Sequence, residues 1–179
     1  MTLLATIPQT EIAGQRLTLR PLRASDAGLI EMHTGDERVA RMTASIPHPL
    51  PPGATAALLE RAAAPDRTEQ IWAMDGSQHG GSELMGLISL NVLDAKQSEV
   101  AYWVAPAFWN TGTASDAVTS LVEANPLGNK TIFASVFQDN PASARVLTNA
   151  GFAYIGDAES FCVARARVLP TWTYIRKHD

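Results

Sequence analysis

The chain has 179 residues, 46% of them hydrophobic, and a formal net charge of -4. That length and apolar fraction suit one globular domain over 1–179 with a sizeable core, and they argue against disorder. The acidic balance argues against a non-specific binder of nucleic acid or of anionic membranes.

The first predicted element is a strand in QRLTLRPL (15–22), where Leu17 and Leu19 alternate. ASDAGLIEMH (24–33) reads as a helix, with Ser25 or Asp26 as its cap and Gly35 just past its end. Asp36 can cap a second short helix through Met42. The run IPHPLPPG (46–53) is too rigid and too donor-poor for regular structure. ATAALLERAAA (54–64) is a string of strong helix formers that Pro65 stops.

Strands are expected at 70–74, at 83–92 and at 98–104, the last two joined by a loop near Asp94–Gln97. A helix then occupies 112–124. Its Ala114, Ala117, Val118, Leu121 and Val122 recur at the spacing of one buried face, and Pro126 closes it. KTIFASVF (130–137) is a strand. In DNPASARVLTNAGF (139–152), Asn140 suits the N-cap, Pro141 the first helical position and Gly151 the C′ position. TWTYIRK (171–177) reads as the final strand. The alternation implies an α/β or α+β domain around a central mixed sheet.

Cys162 is the one cysteine. It offers neither an internal disulfide nor a metal pair, and it reads as a small buried hydrophobe. No ligand spacing for a metal is present. No stretch approaches the roughly 18 apolar residues of a spanning helix, and MTLLATIPQTE lacks the basic start of a signal peptide. A cytoplasmic location without membrane or nucleic-acid partners is expected.

The junction WVAPAFWNTGTASDAV (103–118) is the most informative stretch. A strand ends, small residues surround Gly112, and a helix begins. The first amides of a helix have no internal partner and sit at the positive end of its dipole, so they favour an anion. Gly112, Thr113 and Ala114 leave those amides open, and the hydroxyls of Thr111 and Thr113 are candidate extra donors. Pro106 removes a ladder donor just past Val104, so pairing is expected to fail there and leave an open strand edge. Such an edge can hold an extended amide-bearing ligand. Asn140 and Ser143 start the next helix at the same sheet end.

These motifs together resemble the GNAT acetyltransferase superfamily, nearest its RimJ/RimL-like N-acetyltransferase branch. EVAYWVAPAFWNTGTASDAV and VFQDNPASARVLTNAGF carry the resemblance, and RLTLRPLRASDA and VARMTASIPHP extend it over nearly the whole chain. The resemblance implies a mixed, mostly antiparallel twisted sheet with helices on both faces. The sheet is splayed between the fourth and fifth predicted strands, 98–104 and 130–137. It implies acetyl-CoA as acyl donor and direct transfer of acetyl to a primary amine. The family's pyrophosphate pattern falls on Trp109-x-x-Gly112-x-Ala114, with Asn110, Thr111 and Thr113 between. Trp103 and Val104 fall on the strand edge beside the cofactor, and Asn140 on the pantetheine arm. Ser143 falls where a hydrogen bond reaches the CoA sulfur. Three departures stand out: Thr111 replaces a common basic residue, Ala101 replaces a common mid-strand glycine, and NPLGNK shortens the following helix.

Transfer needs a neutral amine. An α-amino group with a pKa near 8 costs about 1.4 kcal/mol to deprotonate at pH 7, and a lysine-like amine about 4.6 kcal/mol. The Val104 N–H is the candidate oxyanion donor and Glu99 the candidate base. His48 is a candidate for the acceptor site. The expected acceptor is a protein or peptide N-terminus first and a small-molecule amine second, in a monomer or homodimer. A non-catalytic acyl-CoA-binding module on the same fold is the alternative.

Overall fold

The computed structural model describes residues 9–179. Residues 1–8, most of the segment read for a signal peptide, lie outside that range. The strands are β1 (Ile12–Ala13), β2 (Thr18–Pro21), β3 (Glu69–Asp75), β4 (Gly86–Val92), β5 (Gln97–Val104), β6 (Thr131–Phe137), β7 (Ala153–Cys162) and β8 (Arg167–Lys177). They form one sheet in the order β1-β2-β3-β4-β5-β6-β8-β7. Every pairing is antiparallel except that of β5 with β6.

The period of two along each strand sorts the core into two layers. Trp72 and Met74 of β3, Ile88 and Leu90 of β4, and Val100 and Val104 of β5 face one side. There they meet Ala117, Val118, Leu121 and Val122 of α4 (Thr113–Ala124) and Ala144 and Leu147 of α5 (Pro141–Asn149). The alternate residues Ile71, Ala73, Leu87 and Trp103 face the other side. They pack under Leu29 and Ile30 of α1 (Ala27–Thr34) and Leu58, Leu59 and Ala62 of α3 (Ala54–Ala63). A short α2 (Glu37–Ala40) follows α1, and the Asp36 side chain caps it by accepting from the Arg38 amide at 2.9 Å.

The sheet splits between its two parallel strands. β5 pairs with β6 only over Gln97–Glu99 against Thr131–Phe133. Beyond that point β5 stays with β4 up to Val104, and β6 stays with β8 up to Phe137. A gap therefore opens between residues 102–104 and 135–137, as the resemblance implies. The two arms meet again at the rim. Val163, just past β7, donates from its amide to Ala44 O at 3.0 Å, and Arg165 Nε donates to Arg41 O at 2.9 Å.

Arg20 of β2 is buried with Asp26 and Asp75. All five of its N–H donors are used. Nε donates to Asp75 at 2.7 Å, and Nη1 and Nη2 grip Asp26 at 2.9 and 2.8 Å. The last two donors reach the carbonyls of Pro21 and Glu83 at 3.1 and 2.9 Å. The fork holds the guanidinium pKa well above its ordinary value, through the Asp26 bond first and against the cost of burial.

Several expectations need correction. Residues 24–26 form a 3-10 turn, and Asp26 is taken up by Arg20 and the Arg23 amide rather than capping α1 through its side chain. β2 and β4 begin later than predicted, because a turn closes Gly14 N onto Leu17 O and another closes Gly76 N onto Ser82 O. The sequence predicts neither β1 nor β7, and β8 begins at Arg167 rather than 171. β7 lies at the sheet edge and is exposed along most of both faces, so its residues carry no alternation to read. Cys162 is fully buried, as expected.

Candidate functional site

Gly112 stands at φ +82° and caps α4, a left-handed conformation that glycine adopts without strain. The first intrahelical bond of α4 runs from the Asp116 amide to Gly112 O at 3.0 Å. The amides of Thr113, Ala114 and Ser115 therefore open out of the helix end. The threonine hydroxyls do a different job from the one expected. Thr111 Oγ1 donates to Phe108 O, and Thr113 Oγ1 lies 2.8 Å from Thr111 Oγ1. Both hydroxyl protons hold the loop in shape, and the backbone is left as the donor surface.

The β1–β2 turn is pressed against this helix start. The amides of Gln15 and Arg16 donate to the Asp116 carboxylate at 3.0 and 2.8 Å. Arg16 Nη1 donates to Thr111 O at 2.8 Å, and its Cζ sits 3.4 Å from where a Cβ on Gly112 would stand.

The geometry of the gap follows from the phase of the β4–β5 ladder. Leu93 N donates to Gln97 O and Ala105 N to Met85 O, so the odd residues of β5 bond toward β4. The even residues turn their N–H and C=O toward β6, as Lys96 O does in accepting from Lys130 and Thr131. Since the β5–β6 pairing ends at Glu99, the amides of Tyr102 and Val104 point into the gap. The Val104 carbonyl is taken by the indole of Trp109 at 2.7 Å. Its N–H is left as the donor at the open edge.

Candidate side chains stand on both sides of that gap. On the α4–α5 side, Tyr102 reaches from β5 to the start of α5. Its hydroxyl lies 2.6 Å from Ser143 Oγ and donates to Ser143 O at 3.2 Å. Burial pushes the Tyr102 pKa up to about 12 against the opposing bond from Ser143, so the phenol stays protonated near neutrality. On the α1–α3 side, Glu99 sits where β5 and β6 last pair, half-buried between Asn91 and Phe133. Burial alone raises its pKa above the ordinary carboxylate value. Exposed Ala101 follows it on the same face, and then Trp103, edge-on to His33 at 6.1 Å between ring centroids. Burial of His33 lowers its pKa, against the pull of Asp36, so the imidazole is neutral at pH 7.

The structure thus brings Val104, Trp109, Asn110, Thr111, Gly112, Thr113 and Ala114 together at one mouth of the gap. Asn140 and Ser143 stand at the neighbouring helix start. Asn140 occupies the N-cap position of α5, but its side chain makes no capping bond, which leaves the carboxamide for another partner. Trp103 is not brought to that mouth. Its odd position in β5 ties its backbone to β4 and turns its ring to the opposite face. His48 is exposed in its loop. Tyr102 reads from the sequence as a core or cleft-wall residue, but its contact with Ser143 is not legible there, and neither are Arg16 and His33 as neighbours of the gap. Among the described residues no cluster of three His, Cys, Asp or Glu side chains forms a metal site. None of the described helices is long and apolar enough to cross a membrane.

Known proteins share this architecture. The microcin C7 self-immunity acetyltransferase MccE, solved with acetyl-CoA and AMP, superposes with a TM-score of 0.80 at 14% identity, over 97% of this chain and 99% of that one. RimL, a ribosomal L7/L12 α-N-protein acetyltransferase solved with coenzyme A, gives 0.75 at 17% identity over 95% and 99%. The spermidine N-acetyltransferase of Vibrio cholerae, solved with CoA and spermine, gives 0.75 at 18% over 90% and 95%. In sequence, a stretch of 74 residues is 38% identical to the uncharacterized N-acetyltransferase YoaA of Bacillus subtilis (strain 168). That stretch takes in 39% of this chain and 42% of the relative, less than half the length of either. The family model for the acetyltransferase (GNAT) domain matches residues 16–153, from the arginine beside the helix start through both motifs that flank the gap. That match covers most of the chain, so the chain belongs to the GNAT acetyltransferase family.

Proposed function

We propose that this protein is an acetyl-CoA-dependent N-acetyltransferase that moves acetyl directly from the thioester to a primary amine, with the α-amino group of a protein or peptide as acceptor. The observation that carries this reading is the split sheet, with the Val104 N–H aimed into the gap beside the open amides of α4. The residues present fit acetyl-CoA as a substrate. Gly112 provides a phosphate cradle that a Cβ would narrow, and the unpaired edge of β5 offers strand-like bonds to the amides of the pantetheine arm.

Each candidate side chain then has one task. The Val104 amide donates to the thioester oxygen as negative charge builds on it. When the protonated Tyr102 turns its proton from Ser143 O to Ser143 Oγ, the serine hydroxyl is free to donate toward the departing sulfur, whose thiol pKa near 8.5 makes such help useful but not compulsory. Glu99, on the face opposite Ser143, takes a proton from the acceptor's ammonium, directly or through water, and so frees the neutral amine that attacks. The two faces of the sheet so divide the work between the acyl donor and the acceptor.

The acceptor preference rests on the cost of deprotonation, about 3 kcal/mol lower for an α-amino group than for a lysine-like amine. RimL and the spermidine acetyltransferase superpose equally well on this chain, so shape alone does not choose between a peptide and a polyamine. The test is acetyl transfer to three acceptors: free-N-terminal peptides, N-blocked peptides with an internal lysine, and spermidine. Turnover with the first and not the others is expected. Turnover with spermidine alone would move the acceptor to small amines, and binding of acetyl-CoA without turnover on any amine would favour the non-catalytic module.

Glu99 adds a pH signature. As a base it works only when deprotonated, so activity is expected to fall as pH drops through its raised pKa. Glu99→Gln should lower the rate and remove that acid limb. Stability should move the other way. A carboxyl whose folded pKa lies above its unfolded value stabilises the fold below the unfolded pKa, and this is lost as pH rises through the folded one. Glu99→Gln is therefore expected to melt above the wild type at pH 7. An unchanged pH profile would remove Glu99 from the chemistry.

A further inference from the structure

The phosphate loop carries an uncharged Thr111 where the RimJ/RimL-like branch commonly carries a basic residue, yet the loop does not lack a cation. Arg16 arrives from the β1–β2 turn, and its guanidinium lies over Gly112 with one bond to Thr111 O at 2.8 Å. Its place is fixed from the backbone rather than by the side chain itself. The Asp116 carboxylate on the first turns of α4 accepts from the amides of both Gln15 and Arg16. Gly14 lets this turn lie flush on the helix, since a Cβ there would stand 2.6 Å from Asp116 Oδ2 and 2.9 Å from Ser120 Oγ.

The guanidinium is exposed and is in no ion pair among the described residues. An arginine has five N–H donors in a fork that matches phosphate oxygens. One bond to Thr111 leaves the rest of that fork free. Beside it opens a cavity of about 340 Å³, lined by Gln15, Arg16, His79, Phe108, Thr111 and Thr113 among others. Asp116 is nearby, but both its oxygens are engaged by the turn amides, so it steers the arginine's backbone and leaves the guanidinium to another anion.

We propose that Arg16 is the cation of the CoA phosphate site and pairs through its guanidinium with a phosphate bound at the start of α4. The inference rests on the acetyl-CoA reading above. It assigns to this chain a charge that the loop sequence itself lacks, supplied from 95 residues away. CoA offers two sources of that phosphate chemistry, the pyrophosphate and the 3′-phosphate of the ribose.

The experiment is calorimetric titration of the wild type, Arg16→Met and the double variant Arg16→Met/Thr111→Arg with CoA and with dephospho-CoA, in low salt. Thermal melts check that each variant is folded. Arg16→Met is expected to weaken CoA binding by about tenfold or more, the scale of a charge-assisted hydrogen bond. Returning a charge at position 111 is expected to restore part of it. A loss with both ligands places Arg16 on the pyrophosphate, and a loss with CoA alone places it on the 3′-phosphate. Unchanged affinity for both ligands in folded Arg16→Met would overturn the inference and leave the acetyl-CoA reading standing. A wild type that binds neither ligand would overturn that reading, and this inference with it.

Discussion

Arg20→Met is expected to destabilise the protein by about 3–5 kcal/mol, the cost of breaking a buried ion pair by removing one partner. The mechanism is the fate of two carboxylates rather than the loss of one side chain. Asp26 is fully buried and Asp75 nearly so, and each faces the same guanidinium. Without it, both retain a backbone donor, Arg23 N for Asp26 and Ser77 N for Asp75, but Asp75 keeps no counter-charge and Asp26 keeps only the half-exposed guanidinium of Arg23, with Nε at 3.8 Å. For a domain of this size the shift corresponds to about 10 °C in melting temperature. Urea melts of Arg20→Met and of a variant with all three positions made apolar would separate the causes. Partial recovery in the second is expected, because it no longer buries unpaired charge.

The same cluster predicts an acid sensitivity. Burial works against ionisation of Asp75, but its bonds from Ser77 and Arg20 win and hold its pKa below the ordinary value. A carboxylate with a depressed folded pKa gives stability above its unfolded pKa, and that stability is lost as pH falls through the folded one. The wild type should lose stability below about pH 4, with Arg20→Met losing less over the same interval. Equal acid slopes in the two proteins would mean that the arginine does not set the charge state of Asp75.

Gly112→Asp is expected to lower CoA affinity by on the order of a hundredfold, through loss of several charge-assisted bonds at once. Three effects act in one direction. A side chain at φ +82° is strained by about 1 kcal/mol. The new Cβ stands 3.4 Å from the Arg16 guanidinium, so the carboxylate occupies that fork in place of a ligand phosphate. The charge also repels an anion at the positive end of α4. Gly112→Ala carries the strain and the bulk without the charge, and it should lose less. Calorimetry with CoA reads both variants. Wild-type affinity in a folded Gly112→Asp protein would remove the phosphate role of this loop.

Much of this site was legible because its signals are local. A glycine before a helical period of apolar residues gives the start of α4. Asn140, Pro141 and Gly151 bracket α5 with residues whose preferences follow from backbone geometry, and Gly151 does take φ +90°. Pro106 marks the end of β5 against β4, but the edge facing β6 opens after Glu99, where no proline signals it. What could not be read is what the topology brings from a distance. Tyr102 and Ser143 are 41 residues apart and meet only because the sheet splits between them. Arg16 is farther still. β7 escaped for another reason: a strand exposed on both faces buries no alternating set. The hydroxyls of Thr111 and Thr113 show the converse limit, since residue type suggests donors but neighbours decide where the protons go.

The split sheet also leaves a mark on proton exchange with solvent. In the second half of β5 every other amide is bonded to β4, and the ones between face the gap. Ala101 and Trp103 should exchange slowly and Tyr102 and Val104 quickly, a period-two pattern within one strand rather than the graded fraying of a strand end. A ligand strand laid in the gap would bond only the fast pair, and β5 would then exchange as uniformly as a strand in an unbroken sheet.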